Sequence, residues 1–171
     1  MLAVLFPGQG SQRVGMCSDF YSKFDSVKKI FKEVDDTLGF SLSDIILNGP
    51  EEKLKLTENT QPAILTVGVS IFNVLNEQYG LNLNQSKFFA GHSLGEYTAL
   101  VCAGSLKIDR AVYLLHERGK AMQSAVPADQ GAMMAVIGMT INEIEKEINT
   151  LSKEEACEIA NDNSNGQVVV S

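Results

Sequence analysis

The sequence predicts an α/β fold with a parallel sheet, followed by the start of a smaller α+β unit. Three observations predict it. Two short apolar runs, residues 2–6 and 87–91, each lead into a glycine-bearing turn. Helical periodicity follows each of them, and strand, helix, strand, helix in this order implies parallel pairing. Beyond residue 131 the style changes to a strand, a capped helix and two more strands.

The elements follow in order. Residues 2–6, ended by Pro7-Gly8, read as a buried strand entering a turn. Residues 25–38 form the clearest amphipathic helix: Val27, Ile30, Phe31, Val34 and Leu38 recur at helical spacing, and Gly39 supplies the stop. Residues 41–60 read as irregular chain with a helical turn or two. A helix over 61–79 starts with Pro62 near its first position and ends at Gly80. Its apolar residues surround most of the axis, so it is expected to be central and buried. Residues 87–91 read as the second strand, 94–104 and 109–124 as further helices.

Residues 126–131, Val-Pro-Ala-Asp-Gln-Gly, predict a loop and a boundary, giving a core over 1–127 and a small unit over 128–171. In the small unit, a strand at 132–138 precedes a helix opened by the capping box Thr140-Ile141-Asn142-Glu143. Strands at 156–160 and 167–171 follow, joined by an Asn/Asp/Ser/Gly loop. That βαββ series is the first part of a split βαβ, ferredoxin-like unit whose closing helix and strand are missing.

Composition narrows the functional classes. The chain has 171 residues, 44% hydrophobic and 20% charged, which is ordinary globular material rather than disorder. A net charge of −7 without a basic run argues against a nucleic-acid partner. Cys17, Cys102 and Cys157 follow no metal-ligand spacing, and only His92 and His116 accompany them, so a zinc site is not expected and the cysteines read as reduced packing thiols. No signal peptide and no membrane span is visible. The expectation is a cytoplasmic protein without a membrane partner.

Gly91-His92-Ser93-Leu94-Gly95 matches the G-x-S-x-G nucleophile elbow, with a strand before it and a helix after it as that motif requires. A sharp turn there exposes the serine hydroxyl, and the following helix aims its amides at a developing oxyanion. The competing structural role is a capping box, Ser93 to Glu96. The turn Pro7-Gly8-Gln9-Gly10-Ser11-Gln12 is not a dinucleotide loop, because Arg13 stands where the third glycine belongs. At the end of a neighbouring strand it is either an ordinary glycine turn or a source of a backbone N–H near Ser93. Arg118 falls on the stripe Ala111, Leu114, Leu115 and Met122, where a guanidinium needs an anion, either an acidic side chain or a bound carboxylate. A base for Ser93 is not evident. His92 adjoins it in the turn, and His116 points about 200° away from Arg118 around the helix.

Four segments in order, 6–12 (Phe-Pro-Gly-Gln-Gly-Ser-Gln), 60–63 (Thr-Gln-Pro-Ala), 91–97 (Gly-His-Ser-Leu-Gly-Glu-Tyr) and 118–123 (Arg-Gly-Lys-Ala-Met-Gln), resemble the malonyl-CoA:acyl carrier protein transacylase family. The resemblance extends to Asn161-Asp162-Asn163 and Gly166-Gln167-Val168-Val169 in the small unit. It implies an α/β-hydrolase-like core interrupted by a ferredoxin-like subdomain and incomplete in this chain. It implies a malonyl transfer in fatty acid biosynthesis, without a cofactor. Ser93 attacks the malonyl-CoA thioester, and the malonyl-serine passes its acyl group to the phosphopantetheine thiol of acyl carrier protein. By the same resemblance the amides of Gln9 and Leu94 form the oxyanion hole. Arg118, with Met122 beside it, binds the malonyl group by its free carboxylate. The family's catalytic histidine and a later glutamine would lie beyond Ser171. The expectation is therefore a longer, monomeric natural product, or an inactive polypeptide at this length. Two other classes remain open: a serine esterase sharing the elbow, for which no HGGG-like segment is present, and a non-catalytic acyltransferase-like module.

Overall fold

The computed structural model describes residues 2–125, 131–151 and 156–171. They fall into two compact units, Met1–Ala125 and Val126–Ser171.

In the first unit β1 (Ala3–Phe6) and β2 (Phe88–Gly91) pair in parallel, with Phe6 opposite Gly91. Both strands therefore end at one edge, and the turns that follow them are neighbours. The expectation of a buried first strand needs correction, since Leu5 is 76% exposed and only Phe6 is buried. The period of two splits the strand: Ala3 and Leu5 share one face and join no core cluster, while Val4 and Phe6 face the helices. Phe6 packs on Phe72 with ring centroids 6.3 Å apart, and Phe72 on Phe89 at 5.9 Å.

Between the strands lie α1 (Ser18–Lys23), α2 (Asp25–Leu38), α3 (Leu42–Asn48), α4 (Glu51–Lys55) and α5 (Thr57–Glu77). The helix at 25–38 has the expected bounds, with Val27, Ile30, Phe31 and Val34 buried and Gly39 at φ 74 closing it. Residues 41–60 are more regular than expected. Ser41 caps α3 by accepting the Asp44 amide, and Leu42, Ile46 and Leu54 anchor the two short helices in the core. Tertiary packing rather than local propensity makes these turns helical.

Helix α5 starts at Thr57 rather than near Pro62, which becomes an interior proline. A proline there removes the N–H that would bond the carbonyl four residues earlier, that of Glu58. His116, on α7 (Ile108–Ala125), supplies the replacement: its Nδ1 lies 2.9 Å from the Glu58 oxygen, so Nδ1 carries the proton and donates. The ring is held on its other side by Phe40, with centroids 5.4 Å apart. His116→Ala is expected to lower stability by roughly 1–2 kcal/mol, the cost of stranding a partly buried carbonyl. His116→Asn, which keeps a donor near the Nδ1 position, should recover part of the loss; equal urea midpoints for wild type and His116→Ala would refute this.

Twelve residues of α5 are buried, which makes it the central helix of the unit. Its buried hydroxyls bond back along or near the helix, Thr66 to the Pro62 oxygen and Ser70 to the Thr66 oxygen, both at 2.7 Å. Cys17 and Cys102 pack against the same core. Burial pushes their thiols up to about 11 and about 12, so both are protonated near neutral pH.

Helix α6 (Gly95–Cys102) follows β2, and α7 crosses α5. The buried face of α7 is Ala111, Val112, Leu115 and Gly119, not the expected stripe through Leu114 and Met122, which are 45% and 49% exposed. The helix is rotated because Gly119 sits on the start of α5. A Cβ at 119 would stand 2.7 Å from the Thr57 oxygen and 2.6 Å from the Glu58 nitrogen, so only glycine allows the two helices this close. Arg118 consequently lies at the edge of the buried face.

In the second unit β3 (Met134–Ile137), α8 (Ile141–Ile148), β4 (Ile159–Ser164) and β5 (Gln167–Val170) follow in sequence. The sheet order is β3-β5-β4, with β5 antiparallel to both neighbours. The capping box is formed: Thr140 accepts the Glu143 amide, and the Glu143 carboxylate accepts the Thr140 N–H, which holds Glu143 below its usual range. Ile144, Val168 and Val170 make the small core. Residues 161–164 are strand rather than the expected loop. Pairing with the apolar β5 overrides their weak propensity, and the turn shrinks to Asn165-Gly166, with Gly166 at φ 88. Of the loop expected at 126–131, residues 126–130 lie outside the described residues.

Candidate active site

The site lies where β1 and β2 end. The chain leaves β2 through Gly91 and His92, turns at Ser93 and enters α6 at Gly95. Ser93 itself takes the left-handed conformation, φ 54, which a residue with a side chain seldom adopts. The two flanking glycines are not there for φ but for space. A Cβ on Gly95 would approach the Phe6 oxygen to 2.6 Å, and one on Gly91 would overlap the Gly95 carbonyl. Backbone packs on backbone here, and the turn is held by Gly95 N–H to the His92 oxygen (2.9 Å) and Glu96 N–H to the Ser93 oxygen (3.1 Å). The His92 amide donates to the Phe6 oxygen at 3.1 Å, tying the turn to β1. Leu94 drives its side chain into the core, which fixes the turn from below.

The capping alternative for Ser93 does not hold. The N-cap of α6 is Leu94, no side chain caps that helix, and the Ser93 hydroxyl is engaged elsewhere. Its Oγ accepts a hydrogen bond of 3.0 Å from Arg118 Nη2. Arg118 also donates through Nη1 to Gln61 Oε1 at 2.7 Å. Among the described residues no carboxylate lies within ion-pair distance of Arg118, and the adjacent Glu117 is paired with Lys120 at 2.8 Å. Among the described residues the guanidinium thus has neutral partners only, which leaves its charge open to an anion arriving beside Ser93.

The turn after β1 packs against the elbow. A Cβ on Gly8 would stand 2.5 Å from His92 Nδ1, so the glycine lets the two turns meet. Gln9 follows, exposed, its Nε2 3.5 Å from Thr57 Oγ1. Gln123 on α7 accepts the Thr57 amide at 3.4 Å, which gives α5 a cap from another helix. Met122, half exposed, receives the Gln61 Nε2 donor at its sulfur, 3.2 Å away. The sequence-predicted residues Ser93, Leu94, Arg118 and Met122 are thereby linked directly or through Gln61, with Gln9 beside the same helix start. His116 is turned away onto Glu58 and Phe40.

Gln61 and Gln123 lie within the segments 60–63 and 118–123 that carry the resemblance, but the sequence assigns no site role to them or to Thr57. A signal existed for Gln61: it is a polar residue on an otherwise apolar helix, next to an interior proline. Its partner is 57 positions away in sequence, so no local pattern names it. Among the described residues no group of three or more His, Cys, Asp or Glu could hold a metal ion, and no helix is long and apolar enough to cross a membrane.

Residues 4–171 match the acyl transferase domain family. The chain is 43% identical to the malonyl CoA-acyl carrier protein transacylase of Bacillus subtilis strain 168, covering 99% of this chain and 53% of that protein. Among solved structures it is similar to an acyl-carrier-protein-S-malonyltransferase from Bartonella henselae, with 45% identity, a TM-score of 0.92, and coverage of 99% of this chain and 55% of that one. It is also similar to a malonyl-transacylase solved in complex with its type II PKS acyl-carrier protein, at 43% identity and a TM-score of 0.90, covering 98% of this chain and 53% of that one. The chain spans about half the length of the curated relatives it matches.

Proposed function

Because the chain belongs to the acyl transferase domain family, we propose that the complete protein moves a malonyl group from malonyl-CoA to acyl carrier protein in fatty acid biosynthesis. The observation that carries this is the 3.0 Å contact between the candidate nucleophile and a guanidinium with no acidic partner among the described residues. A serine hydrolase needs the first group; only an enzyme for acids with a second carboxyl gains from the second.

Ser93 Oγ attacks the thioester carbonyl, the C–S bond breaks, and CoA leaves as the thiol. The phosphopantetheine thiol of the carrier protein then attacks the malonyl-serine ester, a new C–S bond forms as the ester C–O bond to Ser93 breaks, and Ser93 Oγ regains its proton. The amides of Gln9 and Leu94 stabilise the oxyanion in both steps; the Leu94 amide belongs to the N-terminus of α6, where the helix leaves donors unpaired. Arg118 grips the distal carboxylate, and Met122 forms the apolar wall next to it. The base that accepts the Ser93 proton is, on the resemblance, a histidine beyond Ser171. No cofactor is required for this chemistry, because the thioester brings its own activation. The fold that fits is an α/β-hydrolase-like core over residues 1–127, with residues 128–171 as the first part of a ferredoxin-like subdomain.

Arg118→Ala provides the test. The ratio of malonyl to acetyl transfer by the complete protein should fall about 100-fold, the worth of a bidentate charged contact. An unchanged ratio would leave the esterase class as the better account.

A further inference from the structure

We infer that Gln61 is a positioning residue that sets acyl selectivity by holding Arg118 with a neutral acceptor. The inference rests on Arg118 being the receptor for the malonyl carboxylate. Gln61 is 1% exposed on the central helix, and its amide is spent on α7: Oε1 accepts from Arg118 Nη1 at 2.7 Å and Nε2 donates to Met122 Sδ at 3.2 Å. The two partners fix which way the amide faces, because the reverse orientation would set its NH2 against the guanidinium, donor to donor.

The chemistry of this choice is specific. A guanidinium at the edge of a core is ordinarily matched by a carboxylate, whose two oxygens fit its fork. A glutamine meets the same hydrogen-bond geometry at one nitrogen and leaves the positive charge uncancelled. It also leaves Nη2 directed at Ser93, so the charge is held next to the reacting hydroxyl. A glutamate of the same length would close the fork internally, and the neighbouring cation would keep that glutamate ionised in spite of burial. An incoming carboxylate would then have to displace a permanent ion pair. Gln61 therefore keeps Arg118 both fixed and electrically available.

The experiment compares wild type, Gln61→Glu, Gln61→Met and Arg118→Ala in the complete protein, measuring kcat and KM for malonyl-CoA and acetyl-CoA with acyl carrier protein as acceptor. Gln61→Glu is expected to raise KM for malonyl-CoA on the order of 30-fold and to leave acetyl-CoA kinetics within about two-fold. A merely structural role would lower kcat for both thioesters together. Gln61→Met, which keeps the volume and removes the strong acceptor, should cost about ten-fold in malonyl kcat/KM with acetyl unchanged. It decides the matter if Gln61→Glu fails to fold, as checked by thermal unfolding. A malonyl-to-acetyl ratio unaltered in the folded Gln61 variants, while Arg118→Ala collapses it, overturns this inference alone. A ratio unaltered in Arg118→Ala overturns the malonyl assignment beneath it.

Discussion

Ser93→Ala is expected to reduce malonyl transfer by the complete protein roughly 10^4-fold or more, the scale at which a covalent nucleophile is lost. Intact mass after incubation with malonyl-CoA should show one malonyl group on the wild type and none on the variant. The size of the effect follows from how poorly Ser11, Cys17 and Cys102 could substitute for it. Ser11, in the neighbouring turn, donates its hydroxyl to the Gly8 oxygen at 3.0 Å and lacks the elbow that lifts a serine out of the chain. Cys17 and Cys102 have their thiols raised by burial to about 11 and about 12, so neither offers a thiolate near neutral pH. The variant should fold normally, because Ser93 contributes no cap to α6 and its hydroxyl bonds only outward to Arg118 among the contacts described. Persistent acylation of Ser93→Ala, with transfer onto carrier protein, would remove Ser93 from the mechanism.

The elbow was legible in the sequence because its chemistry is local: five consecutive residues hold both the strained serine and the two glycines that make room for it. The strands and helices that bracket it were legible for the same reason, their periodicity being contained in single windows. What stayed hidden was whatever depends on a second helix. Helix α5 was expected to begin near Pro62, yet it begins at Thr57, since the carbonyl that the proline orphans is satisfied by His116 of α7 and the first amide by Gln123 of α7. Arg118 was expected on an apolar stripe with Leu114 and Met122. The close approach at Gly119 rotates α7, so the arginine sits at the rim of the buried face and reaches sideways to Gln61 and Ser93. The interior proline, the histidine two residues before the arginine and the glycine one residue after it form one device: they seat α7 on the start of α5 at the distance that brings Arg118 to the nucleophile. No single window of sequence carries this role for any of the three, because the relation between two helices is absent from either one alone.

Gly91→Ala should be the most damaging single methyl in the first unit. Gly91 has no positive φ, so conformational freedom does not explain it. The added Cβ would overlap the backbone carbonyl of Gly95, and neither partner can yield, since Gly95 is itself wedged against the Phe6 and Pro7 oxygens. Relief requires moving β2 from α6, which breaks the His92-to-Phe6 hydrogen bond and the turn that presents Ser93. Overpacking of this kind costs about 3 kcal/mol or more, a large part of a typical domain's stability. Gly104→Ala is the matched control. That glycine has φ 74 with nothing within 4 Å of a Cβ, so the change should cost only about 1–2 kcal/mol of backbone strain. Urea unfolding of the two variants side by side separates space from strain. If Gly91→Ala loses no more than Gly104→Ala, the elbow is loose rather than wedged. The left-handed Ser93 would then have no rigid support to hold it at Arg118.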